Sequence, residues 1–140
     1  MTFVARAGLP EPLVELWNVL EQAGFWVAEE EYSDYFGDAF AVLMRGRTAV
    51  RFVRDRGQCF VEVGAAGGAE WFTPMVWDSY LRRDVGDATT PTIEAECQFV
   101  VASLGQIFAA IDTDPDLLEN LRRYRAERAQ ARRGGSPPRG

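Results

Sequence analysis

Residues 39–64 read AFAVLMRGRTAVRFVRDRGQCFVEVG, and the rest of the chain is arranged around them. Three short apolar runs are separated there by two turn-like sequences, Arg45-Gly46-Arg47 and Asp55-Arg56-Gly57. Valine and phenylalanine fit a pleated, half-buried surface, and glycine permits the backbone angles that tight reversals require. The segment therefore predicts a β-meander of three strands. Its first strand is apolar on both faces, which predicts a central position covered on both sides.

The residues before the meander predict a helix, a further strand and a loop. Apolar residues in the range 9–23 recur at the spacing of an amphipathic helix, namely Leu9, Leu13, Leu16, Trp17 and Leu20. Residues 25–28 are apolar and predict a strand. Residues 29–38 are rich in acids and aromatics, and they predict an exposed loop.

Three more helices are predicted after the meander. A short one is expected in residues 71–83, and a long one begins with Thr90 as its cap and Pro91 in its first turn. Asp114-Pro115 marks the start of the terminal helix. The order of elements predicts an α+β fold in which an antiparallel sheet of about four strands packs against an N-terminal helix and C-terminal helices.

Charge is divided unevenly along the chain. Residues 1–120 hold 20 acids and 8 Arg, whereas residues 121–140 hold 7 Arg and one acid. Apolar residues are also sparse near the end of the chain. We predict one α+β domain over residues 1–125 and a basic, partly disordered tail over residues 126–140. We expect this tail to pack poorly, so that the domain folds without it.

The composition excludes several classes of function. The chain has no His and no Lys, which removes Ser-His and Cys-His nucleophiles, His-ligated zinc and the lysine of a phosphate-binding loop. Cys59 and Cys97 lie in apolar settings typical of buried thiols, so we predict no metal and no cofactor. A net charge of −6 argues against nucleic-acid partners. With no secretory signal or apolar span, we predict a soluble, cytoplasmic protein with no membrane partner.

Two stretches carry the chemistry of protein recognition, the acidic and aromatic residues 29–38 and the charged turn at residues 54–58. Aromatic side chains supply a large contact area at little cost in conformational entropy. The residues that we predict to bind a partner are Glu30, Asp34, Tyr35, Phe36, Arg54, Asp55 and Arg56. Two alternatives remain open. The carboxylates of residues 29–38 form a solvated loop, or two of them act as an acid and base pair in a small enzyme.

Several local features resemble the small acidic immunity proteins of bacterial toxin systems. They are Phe25 after the first helix, Phe36-Gly37 before the meander, and Asp55-Arg56-Gly57-Gln58 followed by Phe60-Val61-Glu62. The resemblance implies a protein that binds and blocks a cognate toxin without catalysis. We expect it to be a monomer or a homodimer. The basic tail departs from a uniformly acidic inhibitor. Small secretion-type chaperones are similar in size and charge, and they imply a different protein partner.

Overall fold

The computed structural model describes residues 8–33, 38–86 and 90–134, and within these ranges four strands and four helices follow one another. The elements are α1 (Glu11–Gln22), β1 (Trp26–Tyr32), β2 (Ala39–Arg45), β3 (Thr48–Asp55), β4 (Gln58–Ala65), α2 (Pro74–Arg82), α3 (Ile93–Thr113) and α4 (Leu117–Gly134). The strands form one antiparallel sheet in the order β1-β2-β3-β4. The predicted α+β fold with its meander is confirmed.

Both tight turns of the meander lie where the sequence predicts them. Gly46 takes a positive φ of 59° between β2 and β3. Between β3 and β4, Arg56 and Gly57 have φ values of 52° and 81°, the pattern of a type I′ turn. Such turns match the twist of the strands that they join. They fix the register in which Asp55 pairs with Gln58.

β1 is longer than the sequence predicts. Glu29, Glu30 and Glu31, expected in a loop, belong to the strand and pair with Val42, Ala41 and Phe40 of β2. Glutamate is depleted from strands, so the local signal favours a loop. The neighbouring strand overrides that signal by providing backbone partners. The register of β1 shifts between Val27 and Glu29, which marks a β-bulge at Ala28.

The pairing register divides the sheet into an inner face and an outer face. The inner face supplies apolar residues to the protein core: Ala39, Ala41, Leu43, Val50, Phe52, Val61 and Val63. The outer face also carries apolar residues, which do not belong to that core: Phe40, Val42, Met44, Ala49, Val53 and Phe60.

Two buried tryptophans connect the helices to the inner face. The Trp17 ring of α1 lies against Phe52, with ring centroids 5.1 Å apart. The Trp77 Nε1–H of α2 donates a hydrogen bond to the Val63 carbonyl oxygen of β4, at 3.1 Å. Both indoles are fully buried. α3 packs between α1 and α2, and α4 packs against α2.

The start of α3 differs from the prediction. Thr92, not Thr90, is the capping residue, and its hydroxyl oxygen accepts a hydrogen bond from the Ala95 N–H at 3.0 Å. Pro91 therefore precedes the helix instead of occupying its first turn. Either threonine satisfies the same local sequence rule, so the sequence alone does not distinguish them.

A short segment before α2 adds to the sheet beside β4, a pairing that the sequence did not predict. Phe72 and Val63 exchange two backbone hydrogen bonds, at 2.9 and 3.1 Å. This pairing places Glu70 and Trp71 directly over Gly64 on the outer face. The Arg51 guanidinium lies over the Trp71 ring, 4.7 Å from its centroid.

The terminal helix α4 continues through the predicted boundary at residue 125 as far as Gly134. Glu70 accepts hydrogen bonds from Arg122 Nε at 2.7 Å and from Arg125 Nη2 at 3.0 Å. Arg128 is only 5% exposed, so the prediction that residues 126–140 pack poorly is wrong at that residue. Its Nη1 donates to the Val85 carbonyl oxygen at 3.3 Å. Residues 135–140 lie outside the described residues, and the domain boundary stays a prediction.

Truncation after Arg125 is expected to leave a folded domain. The cut exposes the Val85 carbonyl to water instead of burying it without a donor, so we expect a loss of about 2 kcal/mol or less. For a domain of this size that loss corresponds to a fall in thermal midpoint of about 8 °C or less. Thermal unfolding at moderate salt measures it.

Arg128→Met in the full-length chain is the matched control, because it keeps the helix and removes only the charged donor. Its cost should be about 1–3 kcal/mol, since Val85 then stays covered without Arg128 as a donor. A truncated chain whose midpoint falls much further than that of Arg128→Met would show that the second half of α4 belongs to the core.

Candidate functional site

The two stretches predicted to bind a partner meet at one end of the sheet. In an antiparallel meander the β1–β2 connection and the β3–β4 turn lie at the same end, because the chain reverses direction at each turn. The Arg56 N–H donates a hydrogen bond to Asp38 Oδ1 at 2.8 Å, which joins the two directly. On the β1 side, the Ser33 N–H donates to the Asp38 carbonyl oxygen at 2.8 Å.

An open pocket of about 240 Å³ lies at this end of the sheet, and we call it the sheet-end site. Its lining combines carboxylates, a guanidinium and aromatic rings: Glu31, Tyr32, Ser33, Asp38, Ala39, Phe40, Val53, Arg54 and Asp55. Tyr32 is 47% exposed. The site therefore presents an aromatic ring and charges of both signs to solvent.

The predicted binding residues fall into three groups in the structure. Arg54 and Asp55 line the sheet-end site, and Arg56 forms the adjoining turn. Glu30 does not line it. Its pairing with Ala41 places it on the inner face, further from this end of the sheet than Tyr32. The remaining predicted residues, Asp34, Tyr35 and Phe36, lie outside the described residues.

Some site residues were not singled out from the sequence. Tyr32 and Glu31 follow Glu30 in β1, and strand alternation would have separated Glu31 from Glu30 had the strand been predicted at full length. Phe40 and Val53 look like ordinary apolar strand residues. They belong to the site only because β2 and β3 end beside the turn.

The Arg54 side chain lies against Gly8, near the N-terminal end of the described residues. It pairs with Cys59 across β3 and β4, and Gly8 packs against its guanidinium so closely that a Cβ at Gly8 would lie 1.1 Å from Arg54 Nη1. Burial raises the pKa of the Cys59 thiol, and the Arg54 charge partly offsets that rise. Any side chain at position 8 would therefore require the Arg54 guanidinium to move.

The carboxylates of the site are arranged for surface contact. Glu31 and Asp55 are exposed, and the pocket is open. Acid–base catalysis generally depends on a carboxyl group whose pKa is raised by shielding from water. Burial raises the pKa of Glu96 to about 6, partly offset by Arg128, in the helical layer beside α4.

A hydrogen bond between two ionisable side chains, Tyr80 and Asp114, links α2 to the start of α4. The Tyr80 hydroxyl donates a hydrogen bond to Asp114 Oδ2. Burial and this hydrogen bond raise the pKa of Tyr80 to about 12, and the same bond lowers the pKa of Asp114. Asp114 Oδ1 also accepts from the Asp116 N–H at 2.9 Å. Both carboxylate oxygens are thus used in anchoring α4, which is a structural role.

No group of three or more Cys, Asp or Glu side chains within residues 8–33, 38–86 and 90–134 could hold a metal ion. No helix in them is both long and apolar enough to cross a membrane. Comparison of the whole chain with protein families, curated proteins and solved structures finds no match.

Proposed function

We propose that the protein is a non-enzymatic, protein-binding domain and that the sheet-end site is its binding surface. The observation that carries the proposal is the hydrogen bond from the Arg56 N–H to Asp38, which joins two separate segments around one open site. Tyr32, Arg54 and the neighbouring carboxylates offer the aromatic and charged contacts that dominate many protein interfaces.

In its finer form the proposal is a cytoplasmic immunity protein that neutralises a toxin by covering it. The net charge of −6 favours a basic partner, because complementary charge accelerates association and selects between partners. A secretion-type chaperone is the alternative. The two differ in outcome, since an immunity protein abolishes the activity of its partner whereas a chaperone keeps its partner soluble.

Proteins encoded by genes adjacent to that of this chain are the partners to test. Each is mixed with the full-length protein, and the dissociation constant is measured by calorimetry. Combining Tyr32→Ala with Asp55→Arg should weaken binding at least about tenfold, because it removes an aromatic contact and reverses a charge. Loss of toxin activity in the wild-type complex would support the immunity form.

Glu21→Arg is the matched charge reversal. Glu21 is exposed in the last turn of α1, which leads into the opposite end of β1. This variant should bind within about twofold of the wild-type chain, since surface charges far from an interface contribute little. Equal binding by the wild-type chain and the sheet-end variant would rule out the sheet-end site as the contact surface.

A further inference from the structure

The outer face of the sheet carries apolar residues, of which Val42 and Ala49 are buried and the others are partly exposed. Its apolar residues lie outside the core cluster, in which the inner face packs with α1, α2, α3 and α4. Phe40, Val53 and Phe60 form one cross-strand row and are each partly exposed. Of the residues that β2 places on this face, Val42 is buried whereas Phe40 and Met44 are partly exposed, so the predicted cover on both sides is incomplete.

Trp26 lies on the same face at the edge of the sheet, and the row of Glu29, Val42, Arg51 and Glu62 separates it from Phe40. Trp26 pairs with Met44, so it shares the outer face, and its side chain is 58% exposed. Large exposed aromatic side chains next to an apolar patch are typical of protein contact surfaces, because tryptophan contributes strongly to binding when a partner buries it.

Carboxylates surround the apolar row. The strands place Glu29, Glu31, Asp55 and Glu62 on the outer face, and Arg51 is the guanidinium there. Arg51 Nε donates to Glu62 Oε1 at 3.1 Å, and the same guanidinium lies over Trp71. Its charge is therefore compensated within the face. At the sheet end Asp55 lies beside Arg54 and Arg56, so the excess of negative charge is at the β1 edge, where Glu29 and Glu31 lie.

We propose that the outer face binds a partner protein whose apolar contact patch is bordered by Arg or Lys side chains. The inference rests on the proposed function and specifies the partner's chemistry. Glu31, Phe40, Val53 and Asp55 belong to both surfaces, so the outer face continues the sheet-end site. Two copies of this face would bring like charges together, which disfavours a face-to-face dimer.

The test uses a short amidated peptide in which Arg alternates with Phe and Val, titrated into ¹⁵N-labelled full-length protein. Amide shift changes should be concentrated on β1, β2 and β3, among residues adjoining the outer face. Combining Trp26→Ser with Glu29→Arg should weaken peptide binding at least about tenfold. Glu15→Arg, at an exposed position of α1, which packs on the inner face, should change it less than about twofold. Neither Trp26 nor Glu29 lines the sheet-end site, so this result is independent of the sheet-end variants.

Several outcomes would overturn the inference. The first is that about 1 mM peptide changes no amide chemical shift. The second is that a peptide with Glu in place of Arg binds equally well, and the third is that the shift changes are confined to the helices. Sedimentation showing a wild-type dimer that Trp26→Ser dissociates would assign the face to a second copy instead. Far-UV circular dichroism confirms that each variant is folded. If the peptide binds here but sheet-end variants leave the partner complex unchanged, the proposed function fails and the outer face remains.

Discussion

Replacing Trp77 by Ala is expected to lower the free energy of unfolding by about 3–5 kcal/mol, the usual cost of removing a large buried aromatic side chain. Trp77 is fully buried, and its Nε1–H bonds to the Val63 carbonyl oxygen of β4. The substitution therefore opens a cavity and removes a link between α2 and the sheet. Guanidinium unfolding measures the loss. This is a large loss, because the whole free energy of unfolding of a natural domain is only about 5–15 kcal/mol.

Trp26→Ala is the matched control for that experiment. It removes the same side chain from a position that is 58% exposed, so the change in unfolding free energy should stay within about 0.5 kcal/mol. If the two variants lost similar free energy, or Trp77→Ala lost less than about 2 kcal/mol, the proposed position of α2 against β4 would be wrong.

Gly64→Ala is expected to destabilise the protein by about 1–3 kcal/mol, the usual range for overpacking. A Cβ at Gly64 would lie 2.8 Å from the Glu70 carbonyl oxygen and 3.3 Å from the Trp71 ring. The first contact is with backbone, so the segment that pairs with β4 has to move. Urea unfolding measures the change in stability.

Gly105→Ala in α3 should have the opposite sign. A Cβ at Gly105 meets no heavy atom within 4 Å among the described residues, and alanine is favoured over glycine inside a helix by about 0.5–1 kcal/mol. Stabilisation by both substitutions would contradict the close approach of residues 70–72 to the outer face of β4.

The sheet could be predicted because its signals are local. Gly46 and Gly57 mark tight turns, and the apolar runs between them have the composition of strands. The pairing of Phe72 with Val63 is not local. A loop of small residues separates them, and nothing in that loop specifies that the chain returns to β4.

The site was predicted only in part, because its two segments give local signals whereas their contact is not local. The charged turn at residues 54–58 and the acidic stretch at residues 29–38 are each visible in the sequence. They meet only because two strands separate them, so that both connections lie at the same end of the sheet. Arg128 shows another limit. Periodicity counts arginine as polar, although its long apolar stem allows it to be buried when carbonyl and hydroxyl oxygens accept from its guanidinium.

The bulge in β1 bears on how the protein avoids aggregation. β1 is an edge strand, and an exposed edge can recruit a strand from another molecule and start a fibril. The shift between Val27 and Glu29 interrupts the regular backbone pattern that a recruited strand must match. Glu29 and Glu31 on one face and Glu30 on the other repel an identical edge. The carboxylates that we propose to select a basic partner therefore also disfavour polymerisation at this edge of the sheet.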